Sequence, residues 1–376
     1  MSNFDELVPE HIRALHAYTP GKPVKQAEAE SGVQCIKMAS NENPFGPSPL
    51  ALKAMRQAAA SLNFYPDNDA TELRYKLAEM HHLQPEQVLV TAGTTALLGI
   101  AARTLLAPGL NAVTSQRSFI VYPIATQAAG GRLIQVPMKN DTFDLDAILK
   151  AMDAKTRIVY IANPNNPTGT LVDAPAVDRF LARVPAHVLV ILDEAYCNFA
   201  EPAAKAAGIE YTRSLEYVRQ GRQVLVLRTF SKAHGLAGAR IGYGMGPASL
   251  LNYFERVRTA FSISDVAQAG AMAALDDQTH ICKTVENNAA GAKYLIDEIT
   301  ELGFRVLPTF ANFLYIELGE DSVAIGKRFE AEGVIIRPLT VWGAPTAIRV
   351  TIGTPEQNRR FIAALKKVMA RETVAK

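Results

Sequence analysis

From Asn41 onward, short apolar runs alternate with longer stretches of helical spacing. QVLVTAG, residues 87–93, predicts a strand running into a glycine turn, and TALLGIAARTLL, 95–106, predicts the helix that follows. Three later segments repeat one theme. RIVYIANPNNPTG at 157–169, HVLVILDEAY at 187–196 and QVLVLRTFSK at 223–232 are each an apolar, β-branched run that stops on polar residues. Runs of this kind suit strands buried on both faces, and their alternation with helices favours an α/β fold with a parallel sheet. Ligands of such sheets sit beyond the carboxyl ends of the strands, where these polar residues fall.

After about residue 255 the texture changes to longer helical patterns, AQAGAMAAL and TVENNAAGAKYLIDEITEL, with shorter strands such as ANFLYIEL and AIRVTIG. The pattern predicts a large domain over 41–255 and a smaller α+β domain over 256–376. Residues 1–40 are polar and irregular, with the turn-rich YTPGKP at Tyr18–Pro23, and read as an arm laid across another surface.

Composition narrows the function classes. The 376 residues carry 39 Lys+Arg against 37 Asp+Glu, a formal charge of +2, and no dense basic run interleaved with aromatics. A nucleic-acid partner is therefore not expected. No apolar run approaches the roughly 20 residues that span a bilayer, and the first residues lack a signal-like apolar stretch. Cys35, Cys197 and Cys282 are far apart and odd in number, without metal-ligand spacing. A reduced, cytoplasmic setting without a metal site is the expectation.

Three strand ends carry candidate chemistry. Asn166 sits in the Pro- and Gly-rich NPNNPTG, Asp193 ends VLVILD ahead of Tyr196, and Lys232 ends LVLRTFSK ahead of Arg240. Pyridoxal phosphate requires such an inventory. A lysine must lose its proton to form an imine, and a confined site beside other cations favours that. The pyridine nitrogen needs a buried carboxylate, the ring oxygen needs neutral donors, and the phosphate needs hydroxyls, helix-start amides and a fixed cation. Asp193, Tyr196, Asn166, Thr229, Ser231, Lys232 and Arg240 supply those groups. Gly242-Tyr243-Gly244-Met245-Gly246 lacks the spacing of a dinucleotide loop. His234 reads as a structural turn residue, Cys197 as a small buried filler, and the adjacent His81 and His82 as surface residues.

NNPTG, DEAY and TFSKAHGLAGAR, in that order, resemble fold-type-I pyridoxal-phosphate aminotransferases of the aspartate aminotransferase superfamily. Within it the chain is most similar to histidinol-phosphate aminotransferases, through VPEHIRALHAYTPGKP, SNENPFGPSP and RVTIGT. The resemblance implies an aspartate-aminotransferase-like large domain with a mainly parallel sheet. It implies that Lys232 is the Schiff-base lysine and proton carrier, that Asp193 pairs with the ring nitrogen, and that Tyr196 and Asn166 bond the ring oxygen. Thr229, Ser231 and Arg240 would hold the phosphate with Gly93, Thr94 and Thr95. Phe119 would stack on the ring, and Tyr65 would reach the phosphate of a neighbouring subunit's cofactor in a homodimer. Arg349, with Arg337 and Tyr18, would grip the anionic group of the substrate.

The activity so implied is transamination of histidinol phosphate with 2-oxoglutarate, giving imidazole acetol phosphate and glutamate in histidine biosynthesis. An aromatic amino-acid aminotransferase is the alternative within the same chemistry, ahead of another pyridoxal-phosphate reaction or a non-catalytic regulator. Three positions depart from the pattern: Thr91-Ala92-Gly93-Thr94-Thr95 replaces a Gly-Asn-Gly-Ser-type loop, Phe261-Ser262 an aromatic-Asn pair, and Pro338 an acidic residue.

Overall fold

In a computed structural model that describes residues 4–17 and 21–370, the apolar runs become neighbours in one seven-stranded sheet. Its spatial order is Val88–Thr91, Gly242–Met245, Val224–Thr229, Leu189–Asp193, Thr156–Ala162, Asn111–Ser115 and Arg132–Val136. Gly242–Met245 runs antiparallel to both neighbours, and every other pairing is parallel. All five residues of Leu189–Asp193 are buried, as the uninterrupted apolar run requires.

The antiparallel strand was not visible as a strand in GYGMG. Its glycines serve packing: the Leu97 side chain of the helix Thr94–Leu105 occupies the space a Cβ on Gly244 would need. His81, expected at the surface, is buried because the helix Thr71–His81 turns it toward this strand, and its Nε2 lies 3.0 Å from Tyr243 Oη.

A second, antiparallel sheet has the order Arg337–Pro338, Ala347–Thr351, Phe313–Glu317, Arg305–Val306. Helices Gln278–Glu301, Ser322–Ala331 and Pro355–Ala370 cover it around Leu295, Ile299, Phe329, Phe361 and Leu365. The helix Asp265–Asp276 instead packs on Pro49–Ala58, and its Ala267, Ala271, Ala274 and Leu275 join the core of the large sheet. Packing thus carries the large unit past the expected division at 255. The described part of the N-terminal arm is less irregular than its composition suggests. Val24–Ser31 is a helix, and Ile36–Lys37 pairs parallel with Val334–Ile335, which fastens the arm to the smaller unit.

Candidate active site

A cavity of about 530 Å³ lies at the carboxyl ends of the large sheet's strands and is closed on its far side by the small sheet. A larger hollow, about 800 Å³, opens at the opposite ends of the strands around Gly109, Arg132 and Lys155. Its one carboxylate, Asp153, is already engaged by Asn111 and the Lys155 amide.

One end of the smaller cavity is built to receive an anion. Gly93 precedes the helix Thr94–Leu105 at φ 88°, and a Cβ there would lie 2.7 Å from Arg240 Nη2. That backbone favours glycine, and the absent Cβ leaves the guanidinium room to lie against it. Thr94 and Thr95 present the first turn of the helix, whose amides and dipole favour negative charge. Thr229 and Ser231 add hydroxyls from the end of the strand Val224–Thr229, with the Ser231 amide folded back on Thr229 Oγ1 at 3.1 Å. Donor set and missing Cβ together fit the phosphate of pyridoxal phosphate.

Asp193 lies in the cavity floor, 4% exposed. Burial pushes its carboxyl up to about 6, against the Tyr122 hydroxyl at 3.1 Å and the Ala195 amide at 3.3 Å. Phe119 lines the wall and meets Tyr122 edge-on, while Tyr122 stacks on Tyr160 at 4.7 Å. Lys232 Nζ stands 5.6 Å from the centroid of the Tyr196 ring and 3.4 Å from Ser40 O. Burial first, then Arg349 and Arg240, bring its amine down to about 8. A buried acid and a buried base, each pushed toward neutrality in one cleft, mark a functional site.

The small sheet contributes two arginines. Arg337 and Arg349 face each other in antiparallel register, and both line the cavity. Arg349 Nη1 donates to Asn166 Oδ1 at 2.6 Å, which leaves the Asn166 Nδ2 as that amide's donor, and Arg349 Nη2 donates to Ala39 O at 2.6 Å. Arg337 lies over the Trp342 ring at 5.2 Å.

The cavity thus gathers Thr94, Thr95, Phe119, Asn166, Asp193 and Tyr196 with Thr229, Ser231, Lys232, Arg240, Arg337 and Arg349, and Gly93 abuts it through Arg240. Tyr65 stands apart: it is 82% exposed, and its ring meets Phe261 at 4.8 Å. Tyr18 lies outside the described residues. Sequence reasoning missed Ala39, Ser40, Asn41 and Tyr122. The first two act through carbonyls, which leave no residue signature. Asn41 stood in plain view in SNENP, and Tyr122 three places after Phe119 on what becomes a helix.

Comparison with known proteins points the same way. The family described as aminotransferase class I and II matches residues 33–365. A histidinol-phosphate aminotransferase 2 of Pseudomonas aeruginosa is 44% identical over 375 residues, covering 99% of this chain and all of that protein. The crystal structure of histidinol-phosphate aminotransferase from Sinorhizobium meliloti, in complex with pyridoxal 5′-phosphate, superposes with a TM-score of 0.88 at 30% identity. It covers 97% of this chain and 98% of that one. An aspartate aminotransferase of Thermus thermophilus shares the fold, with a TM-score of 0.82 at 21% identity over 96% of this chain and 99% of that one.

Proposed function

Since the chain belongs to the aminotransferase class I and II family, whose enzymes use pyridoxal phosphate, we propose that it transfers the amino group of histidinol phosphate to 2-oxoglutarate. When bound, the cofactor supplies an aldehyde carbon that can be joined to an amine and a ring that withdraws electrons from the carbon beside it.

The remaining chemistry belongs to the protein. Gly93, Thr94, Thr95, Thr229, Ser231 and Arg240 hold the phosphate. Asp193 keeps a proton on the ring nitrogen by offering a buried negative charge. Tyr196 and Asn166 donate to the ring oxygen, and Phe119 covers the ring face. Lys232 would take the proton from the donor's α-carbon and deliver it to the carbon that carried the cofactor's aldehyde, with an amine near 8 that is free in a workable fraction at neutral pH.

Specificity rests on one observation, the cross-strand pair Arg337 and Arg349 beside Lys232. Glutamate carries a carboxylate next to its amino carbon, whereas histidinol phosphate carries a phosphate ester. A guanidinium offers forked donors to either anion, so Arg349, helped by Arg337 and Tyr18, reads both substrates in turn.

Tyr65 and Phe261, exposed together with Leu62 and Phe64, form an apolar patch suited to a two-fold contact. Through it Tyr65 reaches the phosphate end of the other subunit's site in a homodimer. No helix among the described residues is long and apolar enough to cross a membrane, and a cytoplasmic place in histidine biosynthesis fits the reaction.

The test is a panel of amino donors in single half-reactions, read by loss of the cofactor's visible absorbance. Histidinol phosphate should outpace phenylalanine, tyrosine and aspartate, with glutamate active in the opposite half. Preference for phenylalanine or tyrosine would make the enzyme an aromatic aminotransferase. Arg349→Ala should lower kcat/KM by about a hundredfold in both half-reactions; unchanged values would remove Arg349 from the site.

A further inference from the structure

Residues 39–41 reach three site side chains in succession. Ala39 O accepts from Arg349 Nη2 at 2.6 Å, Ser40 O accepts from Lys232 Nζ at 3.4 Å, and Asn41 Nδ2 donates to Tyr196 Oη at 3.0 Å. The first two contacts use carbonyls that any residue supplies. The third uses a side chain, so the residue type at 41 matters.

Asn41 is 1% exposed and sits at φ 56°, a left-handed conformation that Asn tolerates better than most residues. Its neighbours fix which way the amide points. The backbone N–H of Asn41 donates to Thr351 Oγ1 at 2.9 Å, so that hydroxyl oxygen is an acceptor. Its own proton goes to Asn41 Oδ1 at 3.3 Å. Turned over, the amide would set its NH₂ against the same hydroxyl and take the Asn41 Oδ1 acceptor away from a buried threonine proton. Thr351 is held in turn by its N–H to Met38 O at 2.7 Å, and Asn312 Nδ2 donates to Asn41 O at 3.1 Å.

The half of Asn41 that meets Tyr196 can therefore only donate. A phenol oxygen that accepts there sends its proton elsewhere, and Tyr196 lines the cavity. A hydroxyl whose oxygen already accepts a hydrogen bond is also a stronger donor. We propose that Asn41 is a positioning residue for Tyr196: its amide keeps the phenol proton turned into the cavity and strengthens its donation to the ring oxygen of the cofactor. The proposal rests on the reading of Tyr196 given above.

The test is a pH titration of the holoenzyme's visible absorbance without substrate. A donor to the ring oxygen draws negative charge from it and loosens its hold on the neighbouring imine proton, so losing the donor moves the midpoint upward. Tyr196→Phe should raise the midpoint by about one unit and Asn41→Gly by about half as much. Glycine accepts the left-handed backbone, so this variant keeps the fold. Asn41→Asp keeps the shape but presents an acceptor that pulls the phenol proton away from the cavity, and should shift the midpoint at least as far as Tyr196→Phe. In a Tyr196→Phe background, Asn41→Gly should add nothing.

If Tyr196→Phe moves the midpoint and Asn41→Gly does not, the inference is overturned while the assignment of Tyr196 stands. An undiminished Asn41→Gly shift in the double variant overturns it as well, because Asn41 would then act without Tyr196. A Tyr196→Phe titration identical to the parent's overturns both.

Discussion

Asp193 and Glu194 follow one another at the end of the same strand, and both are buried, at 4% and 1% exposure. They serve opposite regions. Behind the cavity, Glu194 is fully engaged: Oε2 accepts from Arg228 Nε at 3.0 Å and Nη2 at 2.8 Å, and Oε1 accepts from Thr212 at 2.7 Å. Facing the cavity, Asp193 has a tyrosine hydroxyl and one amide but no ion pair among the described residues, and its carboxyl is pushed up to about 6. The rear region has spent its charges on itself. The cavity holds a charge that Lys232 only partly offsets, and a cationic ligand beside it would complete the compensation.

The largest effect expected from this contrast is catalytic. Lys232→Ala should lower transamination by about 10⁴-fold. It should also abolish covalent capture of the cofactor on borohydride reduction, read by mass. The cofactor-free protein should not lose stability, since burial disfavours the Lys232 charge. Thermal melts with and without cofactor check this half of the contrast.

Next come the two carboxylates, with opposite signs. Glu194→Gln leaves the Arg228 charge buried without its partner and should cost about 3–5 kcal/mol in urea unfolding, with or without cofactor. Asp193→Asn should do the reverse in the cofactor-free protein. A carboxyl raised in the folded state contributes stability that is present below about pH 4 and lost as pH rises through about 6. The asparagine variant lacks that loss, so at pH 7 it should be the more stable by about 3 kcal/mol. At pH 4 the two proteins should melt alike. With cofactor the order should invert, because the variant has no charge to offer the ring nitrogen. Equal pH dependence of the two cofactor-free proteins would dissolve the contrast between the regions.

The strand ends that carry this contrast were readable because each is an apolar β-branched run with an abrupt polar stop. Asn166, Asp193 and Lys232 follow directly from that pattern and the parallel order it implies. What escaped has physical causes. Gly242–Met245 carries two glycines, of little strand propensity, among its four residues, and Gly244 is there for its small size beside Leu97. His81 looked like half of a surface pair, yet helical phase buries it while His82, one residue on, is exposed. The contacts of Ala39 and Asn41 with Arg349 and Thr351 span 310 residues and depend on how the arm is fastened to the small sheet. Local periodicity cannot encode such a closure. What the strand-end pattern does not supply is the pairing of Glu194 with Arg228 and Thr212, because which side of a strand end faces the cavity is settled only when the sheet is assembled.

The finest test removes one hydroxyl from each carboxylate. Thr212→Val deletes a donor to Glu194 while the Arg228 pair persists. It should cost about 1 kcal/mol of stability, evenly between pH 6 and 8, with cofactor affinity unchanged. Tyr122→Phe deletes the donor to Asp193, which now works against the effect of burial. Without it the carboxyl rises further, so cofactor affinity should begin to fall at a higher pH than in the parent, by a fraction of a unit to about one unit. Fluorescence titrations of cofactor binding from pH 5 to 8 separate the two outcomes. A pH-dependent loss of affinity in Thr212→Val, or none in Tyr122→Phe, would mean that the two carboxylates share one electrostatic environment after all. An upward shift confined to Tyr122→Phe would show that the reserve of charge belongs to Asp193 alone and is set by a tyrosine that never needs to touch the cofactor.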